Sequence, residues 1–203
     1  MSHIITIGRE FGSGGRELGA RLAQELGFAY YDREIVSAMA EQTSLSEDYI
    51  RQVTEHRSYT FYPINIGQSF SFFGDHQNRM LQSVYGAQSE IVRDLAARSD
   101  CVIVGRCADY ILREEKPFRI FVHASMESRI ARCAARSEQA QSLPEKDLRK
   151  QIRDIDHARS RYYGDFTGQT WGSKENYDLC INTTDADIPT VVRFLTGLIR
   201  QLP

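Results

Sequence analysis

Five short runs rich in β-branched and aromatic residues alternate along the chain with segments of helical periodicity. This alternation is typical of α/β proteins, in which a parallel sheet is covered by helices. The runs predict strands over 3–7, 28–31, 101–105, 118–123 and 178–182. Helices are predicted over 14–26, 33–41, 45–55, 77–98, 107–113, 125–137, 144–162 and 188–201, with Ser44 and Glu47 expected to form a capping box before the third.

The length and composition indicate a single globular domain. The chain has 203 residues, of which 41% are hydrophobic and 26% are charged. A chain of this length folds around one hydrophobic core, so we expect residues 1–203 to form one domain. It shows no secretory signal and no apolar run of spanning length, so we expect a cytoplasmic protein without membrane contact. The formal charge of −2 carries no general signature of nucleic-acid binding. The four cysteines are widely spaced, which is not typical of a disulfide framework or a zinc site.

Two segments interrupt the alternation of strands and helices. Residues 56–76 contain six aromatic side chains together with Pro63, Gly67 and Gly74, and residues 138–143 form a short polar joint. The aromatic segment is too apolar for a solvated linker and too irregular for a long helix. We expect it to cover a ligand, a partner subunit or the core of its own domain, so a homodimer contact is one of the open alternatives.

A glycine-rich loop follows the first predicted strand directly. The sequence from Gly8 to Gly19 reads GREFGSGGRELG, and an amphipathic helix follows. A strand, a glycine-rich loop and a helix N-terminus in this order form an anion site, because backbone N–H groups and the positive end of the helix dipole point to one place. The segment therefore predicts a phosphate site, and a structural loop without a ligand is the alternative.

Three known loop patterns are each typical of a different phosphate ligand, and we compared the glycine-rich loop with each of them. The Walker A pattern G-x-x-x-x-G-K-[ST] is not met, because Arg9 stands at its first glycine and Gly15 at its lysine when Gly14 takes the second glycine. The dinucleotide pattern G-x-G-x-x-G starts at Gly12 but has Glu17 at its third glycine. A dehydrogenase spacing G-x-x-x-G-x-G is present, but none of the ten tyrosines has a lysine four residues later. A nicotinamide-dependent reductase is therefore the weaker alternative.

Arginine outnumbers lysine by 21 to four, and several arginines cluster after the fourth predicted strand. Phosphoryl transfer needs several cations that converge on one phosphate chain from parts that close over it. Arg129, Arg132 and Arg136 recur on one helical stripe, and the next helix carries Arg159 near Asp156. We predict a lid over about 132–160, and a solvated pair of salt-bridged helices is the alternative.

Two predicted strands end at an arginine. Asp32 and Arg33 follow the second strand, and Gly105 and Arg106 end the third. Open α/β sheets bind ligands beyond the carboxyl ends of their strands. Arg33 and Arg106 are therefore candidates for holding a second phosphate, and Asp32 for accepting a hydrogen bond from a base or sugar. A helix cap is the alternative for Asp32.

Together these motifs resemble the cytidylate-kinase-like family of P-loop kinases. The most specific is Arg9 to Glu17, REFGSGGRE, which that family carries in place of an orthodox Walker A loop. The resemblance implies a three-layer P-loop kinase fold, with a five-stranded parallel sheet, helices on both faces, a small lid and an acceptor-side insertion over about 43–76. Supporting pieces are Tyr31-Asp32-Arg33, Val104-Gly105-Arg106, the helix after Phe118 to Ala124, and Asp156-His157-Ala158-Arg159.

The resemblance also implies an activity, which is transfer of the γ-phosphoryl group of ATP to CMP or dCMP with Mg²⁺. The partners are then small-molecule nucleotides. The catalytic residues expected are Arg16, Arg132, Arg136 and Arg159. The ATP-binding residues expected are Gly12, Ser13, Gly14, Gly15, Arg16 and Glu17, and the acceptor-binding residues are Asp32, Arg33, Arg106 and Asp156.

Three positions depart from cytidylate kinases proper. Gly15 stands where they have a loop lysine, Glu17 where they have a hydroxyl residue, and Val104 where they have an acidic residue. Our hypothesis is that Arg16 replaces the lysine charge and that Glu17 or Asp32 helps to hold magnesium through water. The same departures keep two alternatives open: a nucleotide-binding sensor or regulator with little turnover, and a kinase of another small molecule.

Overall fold

The computed structural model describes residues 3–55, 71–136 and 143–201. Its five strands form one sheet in the order β2-β3-β1-β4-β5, and every neighbouring pair is parallel. The predicted five-stranded parallel sheet is confirmed. The strands are β1 (Ile4–Arg9), β2 (Ala29–Tyr31), β3 (Cys101–Val104), β4 (Phe118–His123) and β5 (Leu179–Asn182).

Eight α-helices lie within these ranges of the chain. In the part of the chain that the structure describes, no helix combines the length and apolar character needed to cross a lipid bilayer. The helices are α1 (Gly15–Leu26), α2 (Arg33–Thr43), α3 (Glu47–Glu55), α4 (Ser71–Arg98), α5 (Ala108–Ile111), α6 (Met126–Arg136), α7 (Glu145–Thr167) and α8 (Ile188–Ile199).

Three helices differ in extent from the sequence prediction. Helix α4 begins at Ser71 rather than at 77, because one glycine inside a helix of 28 residues costs only about 1 kcal/mol and does not end it. Helix α7 continues to Thr167 and ends at Gly168, whose φ is 68°. Helix α5 is a single turn followed by a 3₁₀ turn over Arg113–Glu115. The rest of the predicted aromatic segment, 56–70, and most of the polar joint lie outside the described residues.

Both faces of the sheet are buried, and each carries its own apolar core. Ile5, Val102 and Ile120 pack on one face against α1 and α8, whereas Ile4 and Ile103 pack on the other against α2, α4 and α7. Burial on both faces explains why these strands read as continuous apolar runs rather than as alternating patterns. The result is the three-layer arrangement expected from the sequence.

The cap of helix α3 differs from the predicted capping box. Ser44 ends α2 in the left-handed region, with φ 57°, and the Ser46 hydroxyl accepts the Tyr49 N–H at 3.2 Å instead. Glu47 accepts a hydrogen bond from the Ser37 hydroxyl at 2.5 Å and pairs with Arg51 at 3.0 Å. The capping prediction for Ser44 and Glu47 was therefore wrong. The ion pair with Glu47 orients Arg51, which lines the cavity described in the next subsection.

Candidate active site

The glycine loop joins the end of β1 to the start of α1. Gly12 and Gly14 have φ values of 79° and 85°, a left-handed conformation that side chains with a Cβ rarely adopt. Gly14 precedes the first turn of α1, and no side chain caps that turn. The first N–H groups of a helix have no partner inside the helix, so this turn presents donors and a positive dipole end to an anion.

A buried ion pair clamps the loop at the Phe11 peptide. Arg129 donates from Nε to the Phe11 carbonyl at 2.7 Å and pairs with Glu10 at 3.2 Å and with Asp156. The Phe11 N–H donates to Asp156 at 2.7 Å. Burial raises the pKa of Asp156, and the Phe11 N–H and the Arg129 guanidinium oppose that rise. The backbone N–H and the backbone carbonyl of Phe11 are thus both held by this ion pair.

Two further contacts tie the loop to the end of β5. The Thr183 hydroxyl donates to the Ser13 carbonyl at 2.6 Å, and Arg132 donates to the carbonyls of Gly12 and Thr183, both at 3.0 Å. Burial, followed by the nearby charge of Arg136, lowers the pKa of Arg132. The structure thus gives Arg132 a role in shaping the loop. Its expected catalytic role stays a prediction.

A cavity of about 420 Å³ opens between the loop, the strand ends and helices α3, α6 and α7. Among the described residues that line this cavity, two are acidic, Glu10 and Asp32, and each is already paired with arginine. A cavity with this excess of positive charge attracts a polyanion. Eight arginines line it in the described part of the chain: Arg9, Arg16, Arg33, Arg51, Arg106, Arg132, Arg136 and Arg159.

Asp32 lies at the centre of the cation cluster. It is 5% exposed and directly precedes α2, but its carboxylate makes no capping hydrogen bond. It pairs instead with Arg16 and, at 3.9 Å, with Arg9. Burial lowers the pKa of Arg16, but the charge of Asp32, its hydrogen bond and the contribution of Tyr30 together outweigh burial and leave that pKa above its usual value. Asp32 therefore orients two cations at the cavity rather than capping a helix.

The turn after β3 is held in an uncommon backbone conformation. Gly105, Arg106 and Cys107 have φ values of 73°, 61° and 52°, all in the left-handed region. The Gln88 amide, which is fully buried, donates to the Arg106 carbonyl at 2.9 Å, and the Tyr162 hydroxyl donates to Gln88 at 3.3 Å. Such strain is characteristic of functional sites, where surrounding contacts hold it in place. Here it presents Arg106 to the cavity.

Most of the predicted site residues meet at this cavity. The exceptions are Ser13, which is buried beneath the loop, and Glu17 and Asp156, which lie beside it. Glu17 pairs with Arg21 at 3.0 Å and with Arg136. The predicted residues brought to the cavity are Gly12, Gly14, Gly15, Arg16, Asp32, Arg33, Arg106, Arg132, Arg136 and Arg159.

Sequence reasoning missed four residues that shape the site, namely Arg9, Arg51, Gln88 and Arg129. Arg129 was noticed only as part of a helical stripe, and Arg9 only as a departure from the Walker A pattern and as the first residue of the family motif. A signal for Arg51 was present, because it stands four residues after Glu47 on a predicted helix. Gln88 had no signal at all, since its role depends on packing between α4 and the turn after β3.

The described residues do not by themselves build a magnesium site. No group of three or more His, Cys, Asp or Glu side chains is placed to hold a metal within 3–55, 71–136 and 143–201. Glu17 and Asp32 are each paired with two arginines, so direct ligation by either would break an ion pair. A contact through water, as predicted for these two residues, stays a prediction.

Comparison with solved structures identifies the fold. The fold is similar to an uncharacterized protein from Eubacterium ventriosum, with a TM-score of 0.69, 23% identity, and coverage of 98% of this chain and 99% of that one. It is also similar to shikimate kinase from Bacteroides thetaiotaomicron, with a TM-score of 0.58, 13% identity and coverage of 98% and 99%. A shikimate kinase from Acinetobacter baumannii in complex with shikimate matches with a TM-score of 0.55 and 14% identity, and the match covers 100% of this chain and 96% of that one. The chain has a P-loop kinase fold.

The family follows from the sequence profile. The profile of the cytidylate kinase-like family matches residues 4–185, which include the sheet, the glycine loop and all eight arginines of the cavity. The chain therefore belongs to the cytidylate kinase-like family, as its motifs indicated. A search of curated proteins finds no significant match to it.

Proposed function

We propose that the protein is an ATP-dependent kinase of a nucleoside monophosphate, with CMP or dCMP as the first acceptor to test. One observation carries the proposal: a single cavity joins the glycine loop to the two strand ends that carry Arg33 and Arg106. Two phosphate groups bound at these two places would share one cation-lined space. This is the arrangement that in-line phosphoryl transfer needs.

The donor binds on the loop side of the cavity. The β- and γ-phosphates of ATP accept hydrogen bonds from the N–H groups of the first turn of α1. Arg16 and Arg136 are each 46% exposed, paired with one carboxylate and placed to add charge. Arg159 lies with its guanidinium 5.6 Å from the centre of the Phe11 ring and donates to the Arg9 carbonyl at 3.3 Å. Together with Arg132, these groups neutralise the charge that spreads over the transferred group.

The acceptor binds on the strand-end side of the cavity. Arg33 and Arg106 hold its phosphate, and Arg51 is a third cation on this side, fixed by Glu47. An oxygen of that phosphate attacks the γ-phosphorus, the bond from the γ-phosphorus to the β,γ-bridging oxygen breaks, and ADP leaves. The attacking oxygen is already anionic at neutral pH, so the step needs no general base. Asp32 is proposed to orient Arg16 and to accept a hydrogen bond from the acceptor.

Family membership supports ATP with Mg²⁺ as the donor. Magnesium supplies neutralisation of the charge on the β- and γ-phosphates when it is bound. Because Glu17 and Asp32 are paired with arginines, the phosphates themselves are its main ligands in this proposal. The chain contributes the surrounding cations and the donors of the loop.

Two alternatives each have a specific observation in their favour. A fold neighbour binds shikimate, and arginines hold any small anion, so the acceptor side also suits a molecule other than a nucleotide. Gly15 at the position of the Walker A lysine favours a nucleotide sensor with little turnover. These alternatives predict different products from the same assay.

The test is product analysis after incubation of the pure protein with Mg-ATP and a panel of acceptors. CMP and dCMP come first, then other nucleoside monophosphates, then shikimate and other small alcohols. The Arg16→Ala variant is assayed beside Arg193→Ala, which removes an exposed arginine on α8 away from the cavity. Loss of a cation that contacts the transferred group lowers kcat by about 100-fold. The control is expected to keep the wild-type rate.

Each outcome of the assay selects one proposal. Conversion of CMP or dCMP that collapses in Arg16→Ala and not in Arg193→Ala supports the cytidylate kinase activity and the role of Arg16. Conversion of another acceptor keeps the phosphoryl transfer and replaces the substrate. Tight ATP binding with no product over hours supports the sensor and contradicts the kinase.

A further inference from the structure

The space for a side chain at position 15 is filled by Arg9. A Cβ built on Gly15 would lie 2.6 Å from the Cβ of Arg9, closer than real Cβ atoms approach, and 3.2 Å from both the Arg9 Cγ and the Val122 Cβ. Position 15 is where the Walker A pattern has its lysine, whose ammonium group reaches the β- and γ-phosphates. The stem of Arg9 therefore runs through the volume from which that lysine would start.

The head group of Arg9 reaches the gap between the two phosphate sites. Its Cζ lies 2.8 Å from where a Cβ on Gly105 would be, so the guanidinium lies over a bare backbone at the end of β3. Its Nη2 is 3.9 Å from Asp32. Arg9 lines the cavity together with Gly15 and Arg106. A cation at this place has the loop on one side and the acceptor-binding arginines on the other.

Burial distinguishes Arg9 from Arg16, the other arginine of the loop that pairs with Asp32. The side chain of Arg9 is 13% exposed, whereas that of Arg16 is 46% exposed. A charge that is largely withdrawn from water acts more strongly on a nearby phosphate, because less solvent screens it. The same position also restricts its side-chain freedom, so little ordering is needed when the nucleotide binds.

We propose that Arg9 is a catalytic residue that takes the place of the Walker A lysine and contacts the β- and γ-phosphate oxygens of ATP. The inference rests on the proposed function, since it names the cation of that same site. It accounts for the absence of a side chain at Gly15, where a Cβ would collide with the stem of Arg9. Gly105 also leaves room for the guanidinium, which lies 3.9 Å from the Asp32 carboxylate.

The first variant is Arg9→Gln, which keeps most of the stem that fills the space at Gly15 and removes the charge. Its ATP affinity is expected to fall by about tenfold or more, its AMP affinity to change little because AMP lacks the β- and γ-phosphates, and its kcat to fall by about 100-fold. Arg193→Ala is the matched control. Urea unfolding of each variant confirms that it is folded.

The second experiment moves the cation back to position 15. Gly15→Lys alone is expected to lose activity, because its side chain collides with Arg9. The double variant Arg9→Gly/Gly15→Lys removes the collision with Arg9 and restores the charge, leaving a tight 3.2 Å contact with the Val122 Cβ. It is expected to turn over at least about tenfold faster than Arg9→Gln. A folded double variant no faster than Arg9→Gln overturns the proposal.

Binding and turnover separate this proposal from the proposed function. If the wild-type protein binds ATP but forms no product, the kinase function fails, while the ATP and AMP affinities of Arg9→Gln still decide the role of Arg9. If the wild type turns over and Arg9→Gln keeps its ATP affinity and rate, the kinase function stands and the Arg9 proposal is overturned. Absence of ATP binding in the wild type overturns both.

Discussion

Arg129 and Asp156 form a buried ion pair that binds both backbone polar groups of Phe11 in the glycine loop, with the guanidinium on its carbonyl and the carboxylate on its N–H. The pair joins α6 to α7, the two helices that were predicted to form an arginine lid. The base of that region is therefore fastened to the loop. The cations proposed to contact phosphate, Arg136 and Arg159, extend from helices held by this pair.

Replacement of Arg129 by methionine is expected to destabilise the fold strongly. The Arg129 side chain is 5% exposed, and its removal breaks the ion pairs with both Asp156 and Glu10. Loss of one partner of a buried ion pair costs about 3–5 kcal/mol. Urea unfolding measures the change, and the double variant Arg129→Met/Asp156→Leu is expected to be less destabilised than Arg129→Met. Equal or greater destabilisation of the double variant contradicts this account.

Gly14→Ala is expected to weaken ATP binding, whereas Gly27→Ala is not. Both glycines have a positive φ, 85° and 74°, so each substitution costs about 1–2 kcal/mol in backbone strain. A Cβ on Gly14 would also lie 2.9 Å from Ile188, while a Cβ on Gly27 meets nothing within 4 Å. Gly14 directly precedes the turn that we propose binds phosphate. We therefore expect only the Gly14→Ala variant to lose affinity for ATP, by about tenfold. ATP titration and thermal unfolding are the measurements, and equal affinity in both variants would disprove the expected difference.

Gln88→Leu tests the strained turn that presents Arg106. The substitution removes the donor to the Arg106 carbonyl, leaving a buried acceptor unsatisfied at a cost of about 1–3 kcal/mol. The expected kinetic result is a higher KM for the acceptor with the KM for ATP unchanged, since the glycine loop is untouched. Gln42→Leu, which removes an exposed side chain bonded to Glu90, is the control. A rise in both KM values would show that Gln88 supports the whole site instead.

Asp109 is expected to make stability fall as the pH rises. Burial raises the pKa of Asp109, opposed by the hydrogen bond from Tyr163. A carboxyl whose pKa is raised in the folded state binds its proton more tightly there, so stability is lost between its ordinary value of 3.8 and the raised value. Asp109→Asn does not titrate. Its stability relative to the wild type is therefore expected to increase from pH 4 to pH 7 in urea unfolding.

Asp178 provides a control of opposite sign. Its hydrogen bond from Arg119 lowers its pKa below the ordinary value of 3.8, so its contribution is present above that pH and is lost as the pH falls through the lowered pKa. Asp178→Asn is therefore expected to be less stable than the wild type at pH 7, and the difference should shrink in acid. The same pH trend in both variants would contradict the assignment for Asp109.

Much of the site was predictable because of one topological rule. The carboxyl ends of parallel strands meet at one edge of a sheet, so residues that follow separate apolar runs come together there. Arg33 and Arg106 are far apart in the chain but line one cavity for this reason. The glycine loop was predictable for a similar reason, since the order of strand, loop and helix is local.

Other contacts were not predictable because they depend on side-chain direction across the fold. Arg16 was expected to provide the loop charge, but the structure also brings Arg9 over Gly15. This contact depends on how closely β1, β3 and α1 pack together, which the sequence does not show. The predicted cap at Ser44 was wrong because Ser46, two residues further along the chain, also carries a hydroxyl group and accepts the Tyr49 N–H instead. Spacing alone does not rank two equivalent groups.

The sequence by itself determined the five-stranded parallel sheet, the glycine loop between β1 and α1 and the excess of arginine, because apolar runs, glycine positions and charge are properties of the chain. Only the tertiary structure decided which arginines shape the loop and which reach the cavity. Arg129 and Arg132 bind carbonyls of the loop, and Arg132 also lines the cavity together with Arg9 and Arg106. The physical reason is that a guanidinium donates to a carbonyl or to a phosphate, so its role depends on which acceptor the packing brings within reach.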